Sequence, residues 1–331
     1  MRIFSGIQPT GNKHLGNYIG AIVRWVGFQD RGEGIYCIVD LHATTVLYDP
    51  PDLRRGTYDL AATMLAAGLD PERCIFFRQS DVLEHAELAW LLSSVTAFGE
   101  LQRMHQFKDK SAKQRELTSA GLFTYPVLMA ADVLAYRANL VPVGDDQRQH
   151  VELMRDIAQR FNSRFGELLA VPEGDYPEVG ARIMDLQFPE RKMSTTSESP
   201  QGTVYVLDDP KTVAKKIRSA VTDSGSEVRR GPDKAGISNL IEILAAVRGV
   251  SMEEVEREFE GSGYGAFKAA VAEAVTEYLA PVRERYGEIR PDEAGLERTL
   301  EEGAERARAL ASETLREVRA AMGVGPVRAS G

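Results

Sequence analysis

Ser5-Gly-Ile-Gln-Pro-Thr-Gly11-Asn-Lys-His-Leu-Gly16-Asn-Tyr-Ile-Gly20 is the stretch on which the fold turns. Ile3–Ile7 is short, apolar and bounded by Gly and Pro, which predicts a buried strand. Gln8–His14 carries Pro, Gly, Thr and Asn and reads as a loop. Leu15–Gln29 then spaces Ile19, Ile22, Val23 and Val26 along one side of a helix. A helix that opens directly after a strand offers free N–H groups and the positive end of its dipole to an anion. Phosphate is the natural candidate, and the segment reads as a strand–loop–helix that holds the phosphates of ATP. The segment almost spells a phosphate-binding loop of the Walker type, but Asn12 stands where Lys must follow the second Gly. No Gly-x-Gly-x-x-Gly follows the strand, so the dinucleotide fingerprint fails as well. His14-Leu-Gly16-Asn17 remains, with two side-chain donors and a Gly that lets a ligand near the backbone. On those four residues alone, an ordinary turn with an incidental His competes with the anion site.

Outward from this segment, Ile35–Val39, Cys74–Arg78 and Leu140–Val143 predict further strands. Asp52–Ala67, Leu83–Phe98 (capped by Gly99), Leu122–Arg137 and Asp146–Phe161 predict helices. Alternating strands and helices imply a parallel sheet covered on both faces, an α/β fold. Gly99–Ala120 is polar and rich in Gln, Lys and Arg, and reads as an insertion; Pro172–Gly180 reads as a loop. After Pro189 only helices are expected: Val213–Ala220, Ile237–Val247, Met252–Phe259, Gly265–Tyr286 and Pro291–Met322. The composition change puts a domain boundary near Asp185–Arg191.

Of 331 residues, 43% are hydrophobic and 27% charged, as in ordinary globular chains. With a net charge of −9 the chain is no polycation, so nucleic acid would need local basic patches. Cys37 and Cys74 lie in apolar runs and read as buried free thiols; two cysteines build neither a disulfide framework nor a zinc cluster. No apolar run is long enough for a membrane span, and the polar N-terminus is unlike a signal peptide, so the cytoplasm is expected.

Arg191-Lys-Met-Ser-Thr-Thr196 is a second polar cluster, a lysine beside hydroxyls in a Gly/Pro-bounded loop, suited to clamping a polyphosphate. Together the two clusters resemble the HIGH motif (His14-Leu-Gly-Asn17) and the KMSKS motif (Lys192-Met-Ser-Thr-Thr196) of class I aminoacyl-tRNA synthetases. Phe4-Ser-Gly-Ile-Gln-Pro-Thr-Gly11, Phe107-Lys-Asp-Lys-Ser-Ala112, Thr124-Tyr-Pro-Val-Leu-Met-Ala-Ala-Asp132, Pro142-Val-Gly-Asp-Asp-Gln147, Val179-Gly-Ala-Arg-Ile-Met184 and Gly236-Ile-Ser-Asn239 narrow the resemblance to the bacterial tryptophanyl-tRNA synthetase family, from Arg2 to about Gly323.

The resemblance implies a Rossmann-like (HUP-type) nucleotide-binding catalytic domain over 1–185, with an inserted helical segment at about 99–137. It implies an all-α anticodon-binding domain over 186–331, whose last helix packs back on the catalytic domain. It implies a ligase that makes tryptophanyl-adenylate and pyrophosphate from tryptophan and ATP, with Mg²⁺ bound through the phosphates, then esterifies the 2′-hydroxyl of the terminal adenosine of tRNA(Trp). No separate protein-held metal is expected. Carried over by motif, Gln8, Pro9, Thr10, Gly16, Asn17, Gly144, Asp145, Asp146, Ile183, Lys192, Met193, Ser194, Thr195 and Thr196 contact ATP. Lys192, Lys110, Asn17 and Thr10 carry the catalytic work. Asp132 accepts the indole N–H. Tyr125 and Gln147 hold the ammonium, Phe4, Met129, Val141 and Val143 line the ring, Gly6 allows close approach and His42 completes the pocket.

Tyr125, Met129 and Asp132 are spaced i, i+4, i+7, so they share a helix face. Thr195 replaces the second lysine of the family motif, which shifts its electrostatic load to Lys192, Lys110 and Mg²⁺. The basic residues Lys211, Lys215, Lys216 and Arg218, then Arg229, Arg230 and Lys234, are expected to face tRNA. The family forms homodimers through the region around Gly99–Arg137. A tyrosine-specific relative, an inactive RNA-binding paralogue and a small-molecule nucleotidyltransferase stay open; Met129 speaks against the first, which usually has Gln there.

Overall fold

The computed structural model describes residues 1–105, 119–176, 183–194 and 200–325. Among them five strands form one parallel sheet: β1 (Arg2–Ile7), β2 (Glu33–Ile38), β3 (Cys74–Arg78), β4 (Leu140–Pro142) and β5 (Glu173–Asp175), in the order β3-β2-β1-β4-β5. Strand order reverses between β1 and β4, the place where open α/β sheets bind ligands beyond the carboxyl ends of the strands. These two strands pair only at Ile3–Leu140. Past that point the Ser5 hydroxyl spans the gap, donating to the Pro142 carbonyl at 2.6 Å. Gly6, in the middle of the sheet, is exposed, so the split opens to solvent there.

Two apolar cores flank the sheet. One holds Trp25, Tyr36, Ile38, Leu60 and Phe76 and runs on into Ile237, Leu240, Phe267 and Val275 of the C-terminal helices. The other holds Phe4, Ile35, Phe77, Val127, Leu134 and Phe161, and takes in Ala304, Ala307 and Ala311 from the helix Glu293–Met322. That helix packs against β3.

Several expectations shift. β5 lies inside the expected 172–180 loop. Glu-Gly-Asp has no apolar pattern, and the strand exists only through β4, with Glu173 N donating to Asn139 O at 2.8 Å and Val143 N to Asp175 O at 3.1 Å. Gly99 caps no helix: the expected helix ends at Ser93, and Gly99 lies inside a new one, Phe98–Arg103. The helix after β1 runs Leu15–Phe28, but Tyr18–Ile22 is a wide π turn. Such turns are frequent at functional sites. Pro50 and Pro210 each start a helix early, behind the capping side chains of Asp49 and Asp209. Cys37 and Cys74 are buried and free.

Candidate active site

The loop after β1 is held rigidly. His14 caps the helix: its Nδ1 accepts from Asn17 N at 3.2 Å, while Asn17 Oδ1 accepts from His14 N at 3.2 Å. Since Nδ1 accepts, the proton of the neutral ring sits on Nε2 and is free to be donated. Burial, then the nearby positive charges of Lys192 and Lys13, push His14 down to about 4, so the ring is neutral at physiological pH. A Cβ at Gly16 would lie 3.1 Å from the His14 ring and 3.4 Å from Ile183, so this Gly lets those two groups meet. At Gly6 a Cβ would lie 2.8 Å from the Val39 side chain just past β2, so packing there also favours Gly. Pro9 is buried with its carbonyl against Gly56, where a Cβ would sit 2.2 Å away.

The second cluster reaches the same end of the sheet. Lys192 pairs with Met184 as an antiparallel bridge, and Met193 N donates to Ile183 O at 3.0 Å, making a tight hairpin. The Lys192 ammonium lies 3.6 Å from Asp146, on the turn after β4. His14 pairs in turn with Tyr205, beyond the hairpin. The β1 loop, the β4 turn and the lysine hairpin are therefore neighbours. Ile183 and Met193 place their side chains in the first core, so they offer a ligand chiefly backbone. Gly144 and Asp145 join Asp146 at this turn, and Ser194 O accepts from the Thr203 hydroxyl at 3.1 Å. Lys110, Thr195 and Thr196 lie outside the described residues.

Deeper in the second core is a buried polar chain. Asp132, 2% exposed, accepts from His42 Nε2 at 2.7 Å on Oδ2, and from Gln79 Nε2 and His85 Nδ1 at 2.6 Å each on Oδ1. Gln79 is oriented by Leu41 N, which donates to its Oε1 at 3.1 Å. His85 Nε2 accepts from the Tyr136 hydroxyl at 2.5 Å, and the Tyr136 ring stacks on Phe4 at 5.5 Å. His42 meets the Tyr125 ring edge-on, and Tyr125 reaches His150 Nε2 at 2.8 Å. Burial alone would raise the Asp132 carboxyl; His42 and His85 outweigh it and hold the group well below the usual carboxylate range. Each oxygen accepts about two hydrogen bonds, so among the described contacts Oδ2 keeps one acceptor position open.

Val141 belongs to this core, with Met129 and Val143 partly buried against it. Gln147 is turned the other way, donating to Asp146 at 2.6 Å. Sequence reasoning missed Gln79, His85 and Tyr136, which come from three separate segments. It also gave no role to Asn239, whose amide clamps the Met184 peptide through bonds of 2.8 and 2.9 Å and so ties the helical half to the lysine hairpin.

The expected basic patches are largely neutralised. Lys216 is buried on Asp208 and the Thr203 carbonyl. Lys234 is buried on Asp223 and Tyr264, Arg230 holds Glu253 and Glu256, and Arg229 holds Glu227 and Asp233. These internal acids were invisible to a count of basic residues. Lys211, Lys215 and Arg218 remain exposed on one face of the helix Pro210–Arg218, lining a shallow groove.

A Rossmann-type sheet with such loops at its switch point defines a nucleotide-binding class, and the family resolves which: residues 1–280 match the tRNA synthetases class I (W and Y), and the chain belongs to that family. Two relatives about half identical to it are tryptophan–tRNA ligases. Tryptophan–tRNA ligase 2 of Streptomyces avermitilis is 51% identical over 330 residues, 99% of this chain and 98% of that one. The tryptophan–tRNA ligase of Caldanaerobacter subterraneus is 51% identical over 324 residues, 98% of each. The crystal structure of tryptophanyl-tRNA synthetase from Mycoplasma pneumoniae superposes with a TM-score of 0.91 at 36% identity, covering 98% of each chain. That from Campylobacter jejuni, complexed with ADP and tryptophan, gives 0.83 at 37% identity, covering 98% of this chain and all of that one.

Proposed function

We propose that the chain is a tryptophan–tRNA ligase that activates tryptophan with ATP and esterifies the terminal adenosine of tRNA(Trp), and that the residues gathered at the switch point carry out both steps. The observation that carries this reading is Asp132: a buried, ionised carboxylate with one acceptor position left suits the indole N–H, the one polar group of that side chain. A pocket that must satisfy a buried acceptor rejects ligands lacking the donor far more strongly than one that measures size.

In the first step the carboxylate of tryptophan attacks the α-phosphorus of ATP. The bond to the bridging oxygen breaks and pyrophosphate leaves with the electron pair. No protein nucleophile is required; the protein's part is positioning and neutralisation of charge. Neutral His14 donates from Nε2, Asn17 from its amide, Thr10 lies on the same loop, and Lys192 exchanges Asp146 for phosphate oxygens. Mg²⁺ would be carried in on the ATP phosphates, the usual mode for this ion, and would add to the neutralisation of their charge. In the second step the 2′-hydroxyl attacks the anhydride carbonyl, the bond from that carbonyl to the phosphate oxygen breaks, and AMP leaves with the electron pair while the hydroxyl proton passes to a phosphate oxygen. Tyr125 and Gln147 hold the substrate ammonium once Gln147 turns from Asp146, and Phe4, Met129, Val141 and Val143 enclose the ring.

Two assemblies belong to this proposal. The helical half from residue 186 onwards holds tRNA, with Lys211, Lys215 and Arg218 as its free cations on phosphate. A homodimer buries the surface carrying Trp90 and Phe98. The proposed site of action is the cytoplasm, where the ATP and tRNA of the reaction are found.

The test is pyrophosphate exchange into ATP with each amino acid in turn. Exchange dependent on tryptophan alone is expected. Exchange with tyrosine would move the assignment within the family, and exchange with no amino acid would overturn it.

A further inference from the structure

Lys13 has no part in the steps above, yet its ammonium is the most heavily engaged group of the β1 loop. It donates to the carbonyls of Gln8 at 2.7 Å, Thr10 at 2.8 Å and Gly11 at 3.4 Å. In a trans peptide the C=O and the N–H point in opposite directions. Drawing the Thr10 and Gly11 carbonyls towards Lys13 therefore turns the N–H groups of Gly11 and Asn12 away from it. Neither amide donates to any described residue. Gly11 has φ +64°, in the left-handed region. Such a reversal lets successive amides converge on an anion. The loop cannot relax backwards, because the helix Pro50–Ala66 presses Gly56 onto the Pro9 carbonyl. Lys13 O is itself fixed by Val206 N at 2.9 Å.

We infer that Lys13 is a positioning residue for the nucleotide: it gathers the loop carbonyls on the inner side so that the Gly11 and Asn12 amides face the phosphates of ATP. This rests on the assignment of the loop to ATP made above. The ammonium acts through the loop and does not touch the ligand.

The arrangement is pH-sensitive in a defined direction. Burial pushes the Lys13 ammonium down to about 8. His14 on its own loop interacts with it directly, and the titratable groups that share its pocket are Asp52, Arg55 and Asp59 of the helix Pro50–Ala66, Tyr205 and Asp208 beyond the hairpin, and Tyr286. Asp52 pairs with Arg55 and Asp59 with Arg290, so their charges are largely spent on each other. Above pH of about 8 the amine loses its charge and one of its three N–H donors, and the loop loosens.

The experiment compares wild type with Lys13→Met and Lys13→Gln in tryptophan-dependent pyrophosphate exchange. The KM for ATP is expected to rise about tenfold or more in both variants, with the KM for tryptophan within about twofold. In wild type the KM for ATP climbs between about pH 7 and 9, around the value of about 8, and in the variants it stays flat. An ATP KM within about twofold of wild type in the variants, an equal rise in both KM values, or the same climb with pH in the variants would overturn the inference. Wild type without tryptophan-dependent exchange would sink the functional proposal instead. In that case calorimetric binding of ATP still tests Lys13: binding about tenfold weaker in the variants supports it, and equal binding removes it.

Discussion

A carboxylate in an apolar core keeps its charge only through donors, and Asp132 has three. Its folded-state pKa lies below the value of about 3.9 expected of the unfolded chain, so its partners stabilise the fold at every pH above that value. The contribution is lost as pH falls through the lowered one. Removing His85 removes one charge-stabilising partner and strands the Tyr136 hydroxyl. His85→Leu should lower kcat/KM for tryptophan by about 10- to 100-fold, about 1–3 kcal/mol. It should also add an acid limb to the pH profile as the carboxyl moves up; an equal loss at all pH values would reduce His85 to packing. His14 moves the other way. Its folded value of about 4 lies under an unfolded 6.5, so the buried ring lowers stability below the unfolded value, and wild type should gain on the order of 3 kcal/mol as pH rises between the two. His14→Asn should flatten that slope in urea titrations; an unchanged slope would assign it elsewhere. Asp132 and His14 were legible because each sits in a contiguous motif. Gln79, His85 and Lys13 were not. The first two depend on contacts between segments 47–53 residues apart, and Lys13 stands one place beyond the Asn12 position where a Walker loop needs its lysine, so the motif gave it no role.

At the scale of elements, apolar runs foretold β1 to β4, while β5 had to be induced by its neighbour. Helix ends moved where caps overrode apolar spacing, as at Asp49-Pro50. One glycine shows how an element is placed. Gly303 lies within the helix Glu293–Met322, where Ala would be intrinsically better by about 1 kcal/mol. Yet a Cβ there would sit 1.8 Å from the Phe76 carbonyl of β3, an atom that cannot swing away. Overpacking of this kind typically costs about 1–3 kcal/mol. Gly303→Ala should therefore lower the urea midpoint with m unchanged. A raised midpoint would mean that propensity, and not the approach of the helix to the sheet, decides this position. Sequence alone gave no reason for Gly303, since an exposed-looking, charge-rich helix has no evident need of it.

For the whole molecule the informative feature is what stays uncovered. Trp90 is 78% exposed and Phe98, packed on Phe123, is 68% exposed, with Leu83 exposed on the same segment. Large apolar side chains grouped in this way mark interaction surfaces more often than isolated ones do. Trp and Phe anchors carry much of the energy of protein interfaces. The family's dimer region, expected around Gly99–Arg137, begins beside Phe98 and includes Phe123, so the two indications meet on one surface. In the proposed dimer each chain would hold its own Asp132, Lys13 and Lys192, so separating the subunits would leave the residues proposed for adenylation in place. A charge at Trp90 or Phe98 should act on assembly first. Trp90→Asp and Phe98→Asp should shift the protein to monomers in light-scattering chromatography, each weakening association by about 2 kcal/mol or more. Their unfolding midpoints, measured well below the dissociation constant, should match that of wild-type monomer. Dimers that persist in both variants would place the interface elsewhere. Monomers that also lose unimolecular stability would mean that Trp90 and Phe98 serve the fold of one chain and not the contact between two.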